Sequence, residues 1–321
     1  MIPRPVLTAW RNRAPWRDDR QVAQDLILSL LAIRIAGHPL LGERLVWRGG
    51  TCLHQLHLEK ARRYSEDLDY MLVGEAQHSE VRSGLEEVVA GLGMDLPRSE
   101  VSSTRVNVWG EVEVPTVGAS LRVKFEVNCA DLPPVFALTR IRHSVKTRVW
   151  NEQADLLTFL PPELLGTKFR ALAQRRKGRD LSDLWLARRE LGILDSELAI
   201  AADYYLSAAS VPPAVFRERL AMHAEDPEFC IDLDTLTNLP YEGFDPKAAS
   251  RELIQWTDRH LDPLANQRRS ASAVRRDQER WRKEGHWAPG RVRCPVYSKV
   301  DGNLCRCPHW YSEDAGCPAH G

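Results

Sequence analysis

Two acidic side chains stand two residues apart in the segment SEDLDYMLV, where the apolar residues of a short run alternate with them. On a β-strand, residues i and i+2 project to the same face, so the carboxylates of Asp67 and Asp69 are predicted to lie side by side. Two such carboxylates repel each other unless a positive charge lies between them. A hard divalent cation that prefers oxygen ligands, such as Mg²⁺, supplies that charge. The spacing therefore predicts a magnesium site.

A glycine-containing turn precedes these acids in the segment LVWRGGT. Gly49 and Gly50 allow the backbone to approach a ligand closely, and the N–H groups at the start of the helix that follows can donate to phosphate. Thr51 can add its hydroxyl, and Ser65, in the turn before the acids, is a further candidate for a phosphate contact. A metal pair beside a phosphate-binding turn predicts a site for a nucleoside triphosphate.

The spacing of apolar residues predicts the elements that position these groups. Period-two spacing of Val, Leu and Phe between residues 101 and 128 predicts β-structure, broken at Pro115 and Gly118. Short apolar runs predict strands over 45–47 and 68–73. Helical spacing predicts helices over 21–36 (capped by Asp19), 51–57, 79–91, 163–175, 180–191, 195–206, 213–224 and 246–260.

The order of these elements predicts an α+β protein in three parts. Residues 1–160 are expected to form an α/β domain with a mixed sheet and an N-terminal helix, and residues 161–264 a helical domain. Residues 265–321 are expected to form a basic linker and a small Cys-rich segment. In that segment Cys294, Cys305, Cys307 and Cys317 either fold around one structural Zn²⁺ or belong to a flexible tail with exposed thiols.

The acidic segment resembles a known superfamily. Gly-Gly-Thr followed by Asp-hydrophobic-Asp-hydrophobic is similar to the signature of the DNA polymerase β-like nucleotidyltransferases, and this implies their fold for the α/β domain. More narrowly, WRGGTCL and RRYSEDLDYML resemble the AbiEii-like group, the toxin half of abortive-infection toxin–antitoxin systems. The resemblance covers residues 20–190, and the spacing from Thr51 to Asp67 is slightly longer than is usual in the superfamily.

Two later segments also resemble motifs of this group. VKFEVN is similar to a Lys-x-acid motif, which implies Glu126 as the third metal-binding acid or the base, with Lys124 beside the nucleotide. KFRALAQRRKGRDLSDLWL is similar to a helical motif, which implies that Lys168 neutralises the triphosphate and that Asp180 positions this lysine or the nucleotide base. Asp183, one turn further on, is a weaker candidate for the same site.

The residue types alone leave alternatives open. Asp67 and Asp69 can belong to a solvated strand edge, and Glu126 can be an exposed strand residue. Lys168, Asp180 and Asp183 can be helix-surface residues. Asp180 can also be an N-cap after Gly178.

The resemblance implies a function of the same group. It implies transfer of a nucleoside monophosphate from a nucleoside triphosphate to an acceptor hydroxyl, with Mg²⁺ held by Asp67, Asp69 and Glu126. The acceptor would be the 3′ end of tRNA, another RNA or a protein, and a cognate antitoxin would be a partner. The alternative is a non-catalytic protein with a nucleotidyltransferase-like fold that binds a nucleotide or a partner without turnover.

Charge gives only local support for an RNA acceptor. The chain has 44 Lys and Arg residues and 44 Asp and Glu residues, so its net charge favours no polyanionic partner. Two basic runs, at 140–148 and 170–179, are either solvated surface or a path for tRNA, with Arg175, Arg176 and Lys177 the better candidates.

The remaining composition bears on location. The longest apolar stretch, 26–36, is too short to span a bilayer, and seven cysteines are an odd number for a disulfide framework. A cytoplasmic protein without a membrane partner is expected.

Overall fold

The computed structural model describes residues 2–265 except 17, 60, 235 and 237–242, together with the backbone of 291–292 and 311–312. The chain divides into two compact units. The first comprises Met1–Leu56, Tyr64–Leu160 and Glu284–Gly321, and the second comprises His57–Arg63 and Pro161–Lys283. None of the described helices is long and apolar enough to cross a membrane.

A mixed seven-stranded sheet forms the centre of the first unit. Its strands are β1 (Leu45–Arg48), β2 (Asp67–Leu72), β3 (Asp95–Val101), β4 (Arg105–Val114), β5 (Ala119–Asn128), β6 (Leu138–Lys146) and β7 (Asn151–Phe159). Their order across the sheet is β3-β4-β5-β2-β1-β7-β6. The pairs β2–β5 and β1–β7 are parallel, and the other pairs are antiparallel. Two further short strands, β8 (Arg291–Val292) and β9 (Tyr311–Ser312), pair with each other.

One face of this sheet is buried beneath helices. The helices of the first unit are α1 (Arg4–Trp10), α2 (Asp19–Gly37), α3 (Leu41–Arg44), α4 (Gly49–Cys52) and α5 (His78–Gly91), and a π-helix, Leu53–His57, continues from α4. Helix α2 contacts β5, β6 and β7, whereas α5 contacts β3 and β4. Leu68, Phe125, Val127, Val106 and Val108 are fully buried on this face. Because side chains alternate along a strand, the residues between them project to the opposite face.

The second unit is helical. Its helices are α6 (Pro161–Gln174), α7 (Gly178–Glu190), α8 (Asp195–Ala208), α9 (Pro213–Ala224), α10 (Pro227–Ile231) and α11 (Pro246–Ala265). The ring of Phe169 lies 5.5 Å from that of Phe216 and 5.3 Å from that of Trp256, and all three are buried. Gly166 lets α6 approach α8 closely, since a Cβ there would lie 2.7 Å from the Cβ of Ala201.

The α+β class with a mixed sheet and a following helical section is confirmed, and three local predictions are corrected. The α2 helix is capped by Asp18, whose carboxylate accepts from the Arg20 N–H at 2.8 Å, and not by Asp19. The helix expected to start at Thr51 already begins at Gly49. The N-cap of α7 is Lys177, so Asp180 lies inside the first turn and is not the cap.

Candidate active site

The two aspartates of the SEDLD segment lie on the face of the sheet opposite the helices. Strand β2 pairs in parallel with β5, so that Asp67 lies opposite Lys124 and Asp69 lies opposite Glu126. Leu68, between the aspartates, is fully buried on the other face. Paired residues in neighbouring strands project to the same face, so the sheet brings the three acidic residues and Lys124 to one surface.

Burial and a neighbouring carboxylate both raise the pKa of Asp67. Its surroundings raise the pKa of Asp67 to about 6, first through desolvation and second through the negative charge of Asp69, with Lys124 acting in the opposite direction. Burial and an adjacent carboxylate both disfavour the charged form of an aspartate. The pair therefore has the electrostatic character of a cation site.

Glu126 is instead compensated by basic neighbours. The ammonium of Lys124 donates to its Oε2, and Arg105 Nη1 lies 3.6 Å from its Oε1. Burial alone would raise the pKa of Glu126, but the hydrogen bond and charge of Lys124, with Arg105 and Arg48, hold that pKa below its ordinary value. Glu126 is therefore an ionised side chain in an ion pair.

The donor set fits a divalent ion in part. Carboxylate oxygens suit Mg²⁺, and Asp67 and Asp69 provide two adjacent ones. Across the part of the chain that the structure describes, however, no three His, Cys, Asp or Glu side chains are grouped so as to hold a metal ion. Asp67 and Asp69 therefore supply two carboxylates of the kind such an ion takes, whereas the carboxylate of Glu126 is engaged by Lys124. The four cysteines predicted to bind Zn²⁺ lie outside the described residues.

The glycine turn lies directly against the acidic face. Gly49 has φ +83°, and a Cβ there would lie 2.3 Å from Asp69 Oδ2, so a side chain at this position would be strained and would displace this carboxylate. Gly50 is buried in the first turn of α4. Strand β1 pairs with β2 so that Arg48, just before the turn, lies opposite Asp69.

Thr51 and Ser65 hold the start of the acid strand. Thr51 Oγ1 lies 2.6 Å from the Asp67 carbonyl oxygen and 2.7 Å from Ser65 Oγ. Because a hydroxyl carries one proton, Thr51 donates to the carbonyl and accepts from Ser65. The structure therefore assigns Thr51 a contact that fixes the backbone of Asp67, and a phosphate contact of either hydroxyl stays a prediction.

The predicted helical residues form a buried ionic cluster in the second unit. Lys168 Nζ lies 3.1 Å from Asp180 Oδ1 and 2.7 Å from Asp183 Oδ2. Arg175 donates to both oxygens of Asp180, at 2.8 and 3.0 Å. Both aspartates are fully buried, and Lys168 is nearly so. Burial would raise the pKa of Asp180, but the charges of Lys168 and Arg175 hold it below its ordinary value.

Arg63 completes this cluster and was not predicted from the sequence. Its Nε and Nη2 donate to the two oxygens of Asp183 at 2.7 and 2.8 Å, and its side chain is only 5% exposed. The contacts support Asp180 and Asp183 as the groups that position Lys168, and a contact of Lys168 with a triphosphate stays a prediction. In the sequence, Arg63 belongs to a basic pair, Arg62 and Arg63, just before SEDLD. The sequence analysis considered only the acids of that segment.

The two basic runs are largely engaged in ion pairs. In β6, Arg140 pairs with Glu43 and Arg142 with Asp155. In the second run, Arg176 Nε lies 2.8 Å from Asp226 and Lys177 Nζ lies 3.5 Å from Asp232. These ion pairs join basic side chains of both runs to acids of the protein itself, and a path for tRNA along either run stays a prediction.

Comparison with known proteins places the chain in a family. The model of the AbiEii family, described as a nucleotidyl transferase toxin of a type IV toxin–antitoxin (TA) system, matches residues 31–248. No curated protein matches the sequence. Among solved structures, MenT4, a nucleotidyltransferase toxin from Mycobacterium tuberculosis, is 17% identical with a TM-score of 0.59, covering 87% of this chain and 96% of that chain. JHP933 from Helicobacter pylori is 16% identical with a TM-score of 0.44, covering 77% and 94%. Because the family model matches more than half of the chain, this protein belongs to the AbiEii family of nucleotidyltransferase toxins of type IV toxin–antitoxin systems.

Proposed function

We propose that this nucleotidyltransferase toxin transfers a nucleoside monophosphate from a nucleoside triphosphate to an RNA hydroxyl, with the 3′ end of tRNA as the acceptor. The observation that carries the proposal is the in-register placement of Asp69 between Arg48 on β1 and Glu126 on β5, with the Gly49 backbone against its carboxylate. A glycine turn and three acidic residues thereby lie together at one face of one sheet, and this placement supports the proposal.

The acids of this face would hold Mg²⁺. Asp67 and Asp69 are its ligands in this proposal, and Glu126 joins them or accepts the proton of the acceptor hydroxyl. When bound, such an ion supplies positive charge to the attacking and leaving oxygens of an in-line displacement. Lys124 holds Glu126 ionised in the absence of the ion, because its ammonium donates directly to that carboxylate.

The turn at Gly49 and Gly50 would receive the phosphates of the nucleotide. Gly49 has the positive φ that brings the backbone against Asp69. Thr51 fixes the carbonyl of Asp67 and so keeps the acid pair in register with the turn. Family membership also implies an antitoxin as a partner, and we propose that expression of the toxin without it inhibits growth.

The proposal is tested by incubating the full chain with each α-³²P-labelled nucleoside triphosphate, Mg²⁺ and total tRNA. Wild-type protein is expected to label tRNA, and chelation of the metal by EDTA is expected to stop labelling. We expect Asp69→Asn to reduce the rate roughly 1,000-fold, because the charge interactions of a metal site contribute several kcal/mol to the transition state. Glu113→Gln is the matched control, since it removes an exposed carboxylate from β4 of the same sheet.

A non-catalytic nucleotide-binding protein would give a different result. It would show a nucleotide-dependent rise in Tm without any labelled RNA, and this outcome would overturn the proposed reaction. Labelling of a protein in a cell lysate, but not of RNA, would overturn the acceptor. Induced expression gives a second readout, because equal toxicity of wild type and Asp67→Ala would contradict a catalytic toxin.

A further inference from the structure

The acidic face of the first unit continues beyond the acids onto two more strands. Paired residues form a row across four neighbouring strands, in which Arg98 on β3 lies opposite Trp109 on β4, Trp109 opposite Lys124 on β5, and Lys124 opposite Asp67 on β2. All four side chains therefore project to the same face. We call Arg98, Trp109 and Lys124 the β3–β5 row.

This row combines an aromatic ring with basic side chains on an open surface. The guanidinium carbon of Arg98 lies 4.8 Å from the centroid of the Trp109 ring, a cation–π contact. The side chain of Arg98 is 63% exposed and that of Arg105, on the same face, is 56% exposed. The neighbouring Trp109 is half-buried on a face whose rim is solvated.

We propose that the β3–β5 row binds the single-stranded end of the RNA acceptor, with one of its bases stacked against Trp109 and Arg98. Aromatic rings and guanidinium planes on an exposed sheet are the surfaces on which proteins stack unpaired bases. This inference rests on the proposed nucleotidyl transfer and adds to it a place for the acceptor.

The sheet order indicates which substrate occupies this side. The glycine turn follows β1, on one side of β2, whereas Glu126 and the β3–β5 row lie on the other side. In an in-line displacement, the attacking oxygen and the leaving group stand on opposite sides of the phosphorus. If the diphosphate leaves at Gly49 and Gly50, the acceptor arrives from the side of Glu126. Trp109 lies two strands from Asp67, roughly 10 Å at the usual strand spacing. The base that stacks on Trp109 therefore belongs to one of the last nucleotides of the acceptor.

The basic side chains of the row also suit a polyanion. Arg98 bridges Trp109 and Glu100, and Lys124 bonds Glu126, so each cation has an acidic partner in the absence of RNA. An RNA phosphate can replace these carboxylates, while a base stacks on the ring or on the guanidinium plane. This exchange predicts salt-sensitive binding.

The test measures RNA binding in the absence of nucleoside triphosphate, so that it does not depend on turnover. The full chain is titrated into a 5′-fluorescein-labelled single-stranded RNA with a free 3′ hydroxyl, and fluorescence anisotropy gives Kd. We expect Trp109→Ala to raise Kd about tenfold, and Trp109→Phe, which retains an aromatic face, to remain within about threefold of wild type. The control is Trp150→Ala, in the turn between β6 and β7, because β6 forms the other edge of the same sheet.

Two further measurements test the phosphate contact of Arg98 and distinguish an RNA base from the nucleotide's own base on Trp109. Arg98→Gln is expected to reduce the slope of log K against log salt by about one, and an unchanged slope would contradict a phosphate contact. The Tm rise caused by nucleoside triphosphate with Mg²⁺ is expected to be equal in Trp109→Ala and wild type. Loss of that rise, with RNA affinity intact, would place the nucleotide's own base on Trp109 and overturn the proposal.

Failure of the proposed RNA-binding site and failure of the proposed reaction give different results in these experiments. Equal effects of Trp109→Ala and Trp150→Ala on RNA affinity would overturn the binding site even if tRNA is labelled. A specific effect of Trp109→Ala without any labelled product would instead overturn the reaction and leave the binding site in place. Tm values of all variants show whether they are folded.

Discussion

At the scale of single residues, the position of the Asp69 carboxylate depends on the glycine at position 49. Gly49 combines a positive φ with an α-carbon packed against the carboxylate of Asp69. We expect Gly49→Ala to displace this carboxylate and to lower the transfer rate roughly 100-fold, since misplacement of a reacting group by about 1 Å has that effect. The left-handed backbone should also cost about 1–2 kcal/mol of stability. The labelling assay and urea unfolding measure the two effects.

Gly118 is the matched control for this substitution. It also has a positive φ, +63°, in the turn between β4 and β5, but a Cβ there would meet no atom within 4 Å. Gly118→Ala should therefore lose similar stability and keep its activity. Equal loss of activity in both variants would show that backbone strain, and not the carboxylate of Asp69, accounts for the effect.

At the scale of elements, a short segment is joined to the helical unit by charge. Arg63, at the end of the segment His57–Arg63, forms a two-bond contact with Asp183 on α7, and Lys168 on α6 contacts the same aspartate. Loss of one partner of a buried ion pair leaves an incompletely compensated charge. We expect Arg63→Gln to lower the free energy of unfolding of this unit by about 3 kcal/mol, measured by urea unfolding.

An exposed pair with similar geometry provides the comparison. Arg142 and Asp155 also form two bonds, between β6 and β7, but their side chains are 60% and 48% exposed. Exposed pairs contribute at most about 1 kcal/mol, so Arg142→Gln should change stability little. A loss of the same size in both variants would contradict the importance of burial for the Arg63 contact.

The elements that could be predicted from the sequence are those with a clear alternation between a buried and a polar face. Strands β2, β4 and β5 alternate in this way, and the aspartate pair follows directly from the β2 pattern. Strand β3 is exposed along nearly its whole length, and β7 alternates only between exposed and half-buried residues over its first half, so neither has a strong apolar period. The edge strand β6 and the short helices α1 and α10 were missed for similar reasons of exposure or length.

The residue pattern alone indicated only those candidate site residues that are close together in sequence. Asp67 and Asp69 are neighbours on one strand, and the family resemblance supplied Glu126 and Lys168. The contact of Arg63 with Asp183 and the row that joins Arg98, Trp109 and Lys124 depend on the register of distant segments. A single sequence without its pairing pattern carries no direct signal for such contacts.

At the scale of the whole molecule, the balance of 44 basic and 44 acidic residues is reflected in the contacts. The basic runs that the sequence suggested for RNA are paired with acids of β7 and with the residues that flank α10. The acidic face is different, because burial, and then the negative charge of Asp69, raises the pKa of Asp67 to about 6. The surroundings of these side chains, and not net charge, therefore distinguish the candidate site.

Global stability should also depend on a buried histidine in the first unit. His143 on β6 is 2% exposed, its ring lies edge-on to Trp47, and Arg13 contacts its Nδ1 at 3.2 Å. Burial, and to a lesser extent the charge of Arg13, lowers the pKa of His143 to about 3. The unfolded chain takes up a proton on this ring below pH 6.5, whereas the folded protein does so only near pH 3. The contribution of His143 to the free energy of unfolding is therefore fully present above pH 6.5 and is lost as the pH falls toward 3.

This linkage predicts the pH dependence of the free energy of unfolding. Between pH 6.5 and 5, His143 should contribute a loss approaching about 1.4 kcal/mol per pH unit, and His143→Gln should remove that contribution. Urea unfolding at several pH values measures the difference in slope between variant and wild type, which cancels the titration of groups common to both. His78→Gln, at the start of α5, is the control for loss of a histidine as such. Parallel pH profiles for wild type and His143→Gln would show that His143 is readily protonated in the folded protein, contrary to its burial against Trp47.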